Sequence, residues 1–452
     1  MSSLQGSVVH VIGGGLAGAE AALQLADRGI EVVLHEMKPA RRTPAQVSDD
    51  LAELVCSNSF RSSSLENAVG LIKEEMRIVG GHLIRIADET RVPAGDALAV
   101  DRDRFSKAVT ARLIAHPRIT IARAEVLEVP DAVDVIVATG PLTSPSLAES
   151  IGRRCGAGLY FYDAIAPIVS ADSIDFGIAF EASRYGKGGS DDYVNLAMDR
   201  ERYESFVARV NAAEKVPLHE FEEARFFEGC LPIEVMAERG IETLRYGCMK
   251  PVGLVDPRTN EEPYAVVQLR SENLARTAFN LVGFQTRMKW GAQAEVFRTI
   301  PGLEHAEFLR MGQVHRNTYI DSPKLLDAEL RLRTEPRIRF AGQITGVEGY
   351  VESTACGLAV GLMMAARLLG RPIPRLPPET ALGSLHAHVL GLRKTEGAAK
   401  AGHVPSNIHF GLFPALEGRA RKRDRKRMYS ERALPLAAEL RKAIDETLPI
   451  VS

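Results

Sequence analysis

The sequence predicts an α/β chain: a split dinucleotide-binding domain with a mixed α/β domain inserted into it. Three stretches predict it. Residues 8–12 are a short apolar run, the pattern of a buried strand, and close on the glycine turn Gly13-Gly14-Gly15-Leu16-Ala17-Gly18. Residues 134–140 read as another buried strand ending in a glycine turn. Residues 337–340 are a third strand, followed by Ala341-Gly342-Gln343 and then a long apolar helix. Strand–glycine–helix units at both ends of the chain point to one parallel sheet built from distant segments.

Each element has a local reason. Residues 19–28 are rich in Ala and Leu, with Ala22, Leu25 and Ala26 on one helical face, and Gly29 stops the helix. A second buried strand, 30–34, leads to Glu36. In this setting Gly13 permits the tight turn, Gly15 lets the backbone approach a pyrophosphate, and Gly18 lets the helix pack on the strand. The helix N-terminus offers free N–H groups to the phosphates. Glu36, 23 residues past Gly13, is placed to accept hydrogen bonds from a ribose. The fingerprint indicates a bound dinucleotide and does not separate FAD from NAD.

Residues 101–115 read as a helix with Asp101 as its N-cap. Residues 352–369 read as the late helix, with Ala355, Leu358, Leu362, Met363 and Ala366 on one face. From 156 to 330 the pattern changes to mixed short runs, a Gly-rich loop at 186–190 and a helical stretch at 199–213. The expected division is therefore 1–155 for the first part of the nucleotide-binding domain, 156–330 for the insertion and 331–452 for the second part. Residues 371–378 carry four prolines and read as a surface crossing.

Length and composition agree with this. At ~150 residues per domain, a chain of 452 residues holds two or three domains. It is 45% hydrophobic and 25% charged, which excludes a disordered, collagenous or coiled-coil chain. With 56 Lys and Arg against 58 Asp and Glu the net charge is −2, so nucleic-acid binding has to come from a local patch. The five cysteines, at 56, 155, 230, 248 and 356, are sparse and form no CxxC pair, which argues against a disulfide framework or a cysteine-rich zinc site. The histidines form no HxxxH or HExxH pattern, and we expect no metal. No secretory signal is visible, and the longest apolar stretch, 356–366, is far short of the ~20 residues of a membrane span. A cytoplasmic protein with free thiols and no membrane partner is expected.

Longer strings go beyond a generic nucleotide fold. They are HEMKP at 35–39, ELVCSNSFR at 53–61, NAVGLIKEEMR at 67–77, FEGCLPIEVMAER at 227–239, LVGFQTR at 281–287, HRNTY at 315–319 and FAGQITGVEGYVES at 340–353. Together they closely resemble the folate- and FAD-dependent tRNA (uracil-5-)-methyltransferases, over about residues 8–415. The resemblance implies a Rossmann-type FAD-binding domain of the glutathione-reductase type. It implies formation of 5-methyluridine at position 54 of tRNA, with carbon from 5,10-methylenetetrahydrofolate. Reduced FAD supplies the electrons, and NADH or NADPH regenerates it. The partners so implied are tRNA, a folate and a nicotinamide dinucleotide.

The chemistry asks for particular residues. Carbon 5 of uracil is a poor nucleophile until a thiolate adds to carbon 6. By the resemblance, Cys56 is a catalytic thiol close to the flavin ring and Cys230 is the thiol that attacks uracil; which sulfur performs which step stays open. Cys155, Cys248 and Cys356 are expected to be structural. The cofactor-binding set is Gly13, Gly14, Gly15, Leu16, Ala17, Gly18 and Glu36, with Gly342, Gln343, Gly346, Val347 and Glu348 as a second flavin contact through backbone N–H groups. The run Arg419, Arg421, Lys422, Arg423, Arg425, Lys426 and Arg427 holds seven bases and one acid in nine residues and is a candidate RNA contact. Lys250, Arg287, Lys289 and Arg316 are further candidates for phosphate or the folate tail. Three rivals remain: the same chemistry on ribosomal RNA, the related wobble-uridine flavoprotein activity, and an RNA-binding protein that keeps FAD as a structural element.

Overall fold

A computed structural model describes residues 8–43, 45–156, 159–186, 192–217, 231–392, 405–417 and 421–451, with the backbone alone described at 159–165, 313–317 and 422–423. Cys230 and Arg419 lie outside the described residues, as does most of the loop at 186–190.

The first sheet gathers both ends of the chain. Its strands run in the order Arg331–Leu332, Glu335–Phe340, Asp134–Val137, Val9–Ile12, Val32–His35, Ile119–Ala122. All pair in parallel except the outer hairpin of Arg331–Leu332 with Glu335–Phe340. The strand before the first glycine turn sits inside the sheet, with Val9 opposite Val32 on one side and Asp134 on the other. In such sheets ligands bind beyond the carboxyl ends of the strands.

The first helix is Leu16–Ala26, and all eleven of its residues are buried. The sequence suggested one apolar face. The structure buries every face because the helix lies between the sheet and the late helix, Tyr350–Leu368. Small residues make this possible. A side-chain carbon at Gly357 would stand 2.2 Å from the Ala17 carbonyl oxygen, and one at Gly361 would stand 3.0 Å from that of Ala21. The late helix starts at Tyr350, two residues before the expected Glu352, because Gly349 takes φ +103° as its N-cap. By length and composition this helix is apolar enough to cross a membrane, but most of it is buried inside the protein. Asp101 caps the helix Arg102–Ala115 through the Arg104 N–H, and Asp199 caps Arg200–Ala212 through the Arg202 N–H.

The second sheet has the order Phe180–Glu181, Tyr193–Met198, Ala265–Ser271, Ala278–Leu281, Ile168–Ser170, Phe308–Arg310, and every pairing is antiparallel. Its core is separate and aromatic, with Tyr203, Phe206, Phe279, Phe284 and Phe297 buried together. The first core spans residues 9–151 and 320–448, and the second spans 169–306. We call these the first and second lobes. The chain enters and leaves the second lobe on two paired antiparallel strands, Leu159–Ile165 and Gln313–Tyr319, with Leu159 opposite Tyr319.

Candidate active site

At the carboxyl end of the first sheet lies a partly open cleft, where ligands of such sheets bind. The glycine turn forms one wall. Gly13 has φ +108°, and a side chain there would strike the Ala138 carbonyl at 2.5 Å. A side chain at Gly18 would reach within 1.9 Å of the Gly13 oxygen, so helix and strand can close only on glycine. At Gly15 a side chain would meet nothing within 4 Å, because that position opens on the cleft. Gly15 is the N-cap of the first helix, makes no side-chain cap bond, and has no acidic residue in the turn after it. The orphan N–H groups of that turn, with the positive end of the helix dipole, suit an anionic group.

Leu16, Ala17, Glu36, Gly342 and Gln343 also line the cleft. Glu36 is buried and accepts a hydrogen bond from the Lys38 N–H at 3.0 Å. Gly342 has φ +79°, and a side chain there would strike Ala17. The other three residues expected in this contact are not part of the cleft lining. The Gly346 N–H donates to the Gln343 carbonyl and the Glu348 N–H to the Ser406 carbonyl. Val347 is fully buried and pairs with Ser406 in a bridge. Of the five residues expected as a second flavin contact, Gly342 and Gln343 line the cleft. Ser406 pairs with this turn, accepting the Glu348 N–H and donating its own N–H to the Gly346 carbonyl.

Cys56 stands at the edge of the same cleft, which its neighbours Glu53 and Val55 line together with Tyr350. The loop that carries it is held from four directions. Lys38 and Glu53 form a buried ion pair at 3.2 Å. Arg102 donates to the Leu54 carbonyl at 2.6 Å and pairs with Glu272 of the second lobe at 2.7 Å. Asn58, fully buried, donates to the carbonyls of Val100 and Ser271 and accepts from the Arg270 guanidinium at 2.9 Å. Arg270 also donates to the Ser57 hydroxyl at 2.8 Å. Finally, the Tyr350 oxygen accepts the N–H of Cys56 at 2.7 Å and of Ser57 at 3.1 Å, with the Cys56 sulfur 3.0 Å away. The site therefore stands at the junction of the two lobes, and residues of both fix the thiol.

The other described cysteines sit differently. Burial pushes the Cys155 thiol up to about 11 and the Cys248 thiol up to about 12, and it raises Cys356, which is buried in the late helix. In the basic run Arg421, Arg425, Lys426 and Arg427 are exposed at the start of the helix Lys422–Thr447, and Arg427 pairs with Glu431 at 3.2 Å. Of the other cations, Lys250 is exposed, Arg287 faces the buried Glu234 at 3.8 Å, and Lys289 pairs with Glu214. The Arg316 side chain is outside the described set. Among the described residues no group of His, Cys, Asp or Glu is arranged to hold a metal ion.

The sequence alone does not single out Asn58, Arg102, Arg270 or Tyr350. Tyr350 stands in the stretch FAGQITGVEGYVES, directly after Gly349, and a polar aromatic at a glycine-started helix is the available signal. The arginines carried none, because their partners in the Cys56 loop are distant in sequence.

Comparison with known proteins adds the following. The glucose inhibited division protein A family profile matches residues 8–372. The methylenetetrahydrofolate–tRNA-(uracil-5-)-methyltransferase TrmFO of Myxococcus xanthus is 57% identical over 426 residues, 94% of this chain and 93% of that protein. The protein of the same name from Geobacter sulfurreducens is 57% identical over 427 residues, 94% of this chain and 97% of that protein. The solved structure of Aquifex aeolicus GidA in its form II crystal has a TM-score of 0.69 at 18% identity, covering 99% of this chain and 76% of that one. This last likeness concerns the fold.

Proposed function

Because the chain belongs to the glucose inhibited division protein A family and, within it, to the methylenetetrahydrofolate–tRNA-(uracil-5-)-methyltransferases, we propose that it methylates carbon 5 of a uracil in tRNA with a folate-borne carbon. The finer reading is uridine 54 of the T-loop, FAD as the resident cofactor, NADH or NADPH as the reductant, and a cytoplasmic site of action. The observation that carries it is the meeting of a glycine-lined dinucleotide cleft and the Cys56 loop at Tyr350.

The residues present fit a flavin dinucleotide. Gly15 leaves open space where any side chain would stand, the first helix presents an uncapped N-terminus, and Gly342 and Gln343 line the cleft beside Ala17. Gly13, Gly14, Gly15, Leu16, Ala17 and Gly18 would hold the phosphates, and Glu36 a ribose. When bound, the flavin supplies the reducing equivalent that turns a transferred methylene into a methyl group. The chain supplies the rest. Addition of the Cys230 thiolate to carbon 6 of the base makes carbon 5 nucleophilic toward the folate methylene. Removal of the carbon 5 proton with departure of the folate nitrogen leaves an exocyclic methylene, and hydride reduction of that carbon expels the sulfur and restores the ring. Cys56 serves beside the cofactor. The basic residues Arg421, Lys422, Arg423, Arg425, Lys426 and Arg427, with Arg419, would bind the RNA backbone, and that contact weakens with salt.

The test uses purified protein, its visible spectrum, and labelled methylenetetrahydrofolate with a reduced nicotinamide. We expect a flavin spectrum and label in an unmodified tRNA transcript, lost when uridine 54 is replaced by cytidine. Label in a ribosomal RNA fragment and none in tRNA would overturn the reading.

A further inference from the structure

The Tyr350 hydroxyl sits under two hydrogen-bond donors and one sulfur. The backbone N–H groups of Cys56 and Ser57 donate to its oxygen at 2.7 and 3.1 Å, and the Cys56 sulfur is 3.0 Å from the same atom. A phenol has one hydrogen to give and few electrons to share. With two N–H hydrogens already on its oxygen, it has no place for a third from a thiol. All the groups are satisfied when the phenolic hydrogen points at the sulfur. A sulfur that accepts from a fixed donor is favoured in its ionised form, since hydrogen bonding to the charged form stabilises it. We propose that Tyr350 is a positioning residue that keeps Cys56 a thiolate by donating its phenolic hydrogen to the sulfur. This rests on the reading of Cys56 as a working thiol and gives that thiol the partner that activates it.

The surrounding charges agree. The helix Arg102–Ala115 contributes Arg102, paired with Glu272, and the strand Phe308–Arg310 contributes Arg310; both guanidiniums act on Cys56. The loop itself contributes Glu53, whose charge is matched by Lys38. Burial, and next the charge of Cys56, hold the Tyr350 hydroxyl well above its ordinary range, so the phenol keeps its hydrogen where the thiol titrates. Arg270 and Asn58 brace the loop independently of the hydroxyl.

The test is alkylation of the purified protein by iodoacetamide across pH, with the Cys56 peptide quantified by mass spectrometry in the unaltered protein and in Tyr350→Phe. In the unaltered protein we expect Cys56 to titrate below the ~8.5 of a free cysteine. In Tyr350→Phe we expect its apparent pKa to rise by about one unit, a roughly tenfold loss of thiolate at a pH below both values. The limiting rate at high pH should stay within about twofold, because the thiolate's access is unchanged. A purely structural role would lower the limiting rate and leave the pKa in place, and that result overturns the proposal. So does a Cys56 titration at or above ~8.5 in the unaltered protein, which decides the matter even if the variant fails to fold. The Cys248 peptide is the slow internal reference. Carbon transfer is scored separately: an active enzyme with an unshifted Cys56 fails this proposal alone, and a shifted Cys56 in a protein without carbon transfer fails the functional reading alone.

Discussion

Where the first helix meets the late helix, the contact is backbone on backbone: a side-chain carbon at Gly357 would stand 2.2 Å from the Ala17 carbonyl oxygen. At the centre of the second lobe the contact is ring on ring. Phe284 lies 6.0 Å from Phe206 and 5.8 Å from Phe297, centroid to centroid. The first kind of contact fixes a distance and tolerates no added atom. The second fills a volume and fails by degrees. The difference follows the tasks of the lobes. A cleft lined by main chain needs helix and strand at a set spacing, whereas a lobe that braces the thiol loop through Arg270 and Glu272 needs only a firm body behind them.

This contrast can be broken from either side. Gly357→Val drives a branched side chain into the Ala17 main chain and should cost at least about 4 kcal/mol, with loss of flavin from the purified protein. A folded, yellow Gly357→Val protein would end the claim of a fixed spacing. Cys56→Ala removes the sulfur from a loop held by other residues, so methyl transfer should fall on the order of 10³-fold while the melting curve barely moves. Phe284→Ala should cost about 3 to 5 kcal/mol in urea unfolding and leave flavin affinity unchanged, because the loss stays in the second core.

The smaller effects sharpen it. Lys73 is fully buried in the first lobe, donates to the Phe60 and Arg61 carbonyls, and is lowered to about 7 by burial first and by Arg77 next. The unfolded chain then binds more protons than the folded one between about 7 and the ordinary lysine value of 10.5. The contribution of Lys73 to stability therefore rises with pH through that window. Urea unfolding at pH 6.5 and 9.5 should show the unaltered protein gaining on the order of 2 kcal/mol relative to Lys73→Met. Cys248→Ser should cost only about 1 to 2 kcal/mol and leave methyl transfer within about twofold. A large loss of transfer would mean that this thiol, too, serves the reaction.

What was legible in the sequence follows the same division. Gly13 and Gly18 could be read because a close main-chain approach demands one residue type, and that demand is local. Asp101 could be read as a cap for the same reason. The second lobe showed itself only as a change of pattern, since aromatic cores carry no fixed spacing. Tyr350 and Cys56 are 294 positions apart, and no local pattern encodes such a meeting. The turn at Gly346, Val347 and Glu348 reads as a flavin contact from its backbone N–H groups and the helix that follows it. Which side it faces is set by the crossing of Ser406, far along the chain.

The paired strands Leu159–Ile165 and Gln313–Tyr319 bring the entrance and exit of the second lobe side by side. A segment whose two ends meet can be lengthened, shortened or exchanged as a cassette without re-threading the frame that hosts it. The second lobe of such a protein is free to change in length and sequence while the frame of the first lobe stays the same.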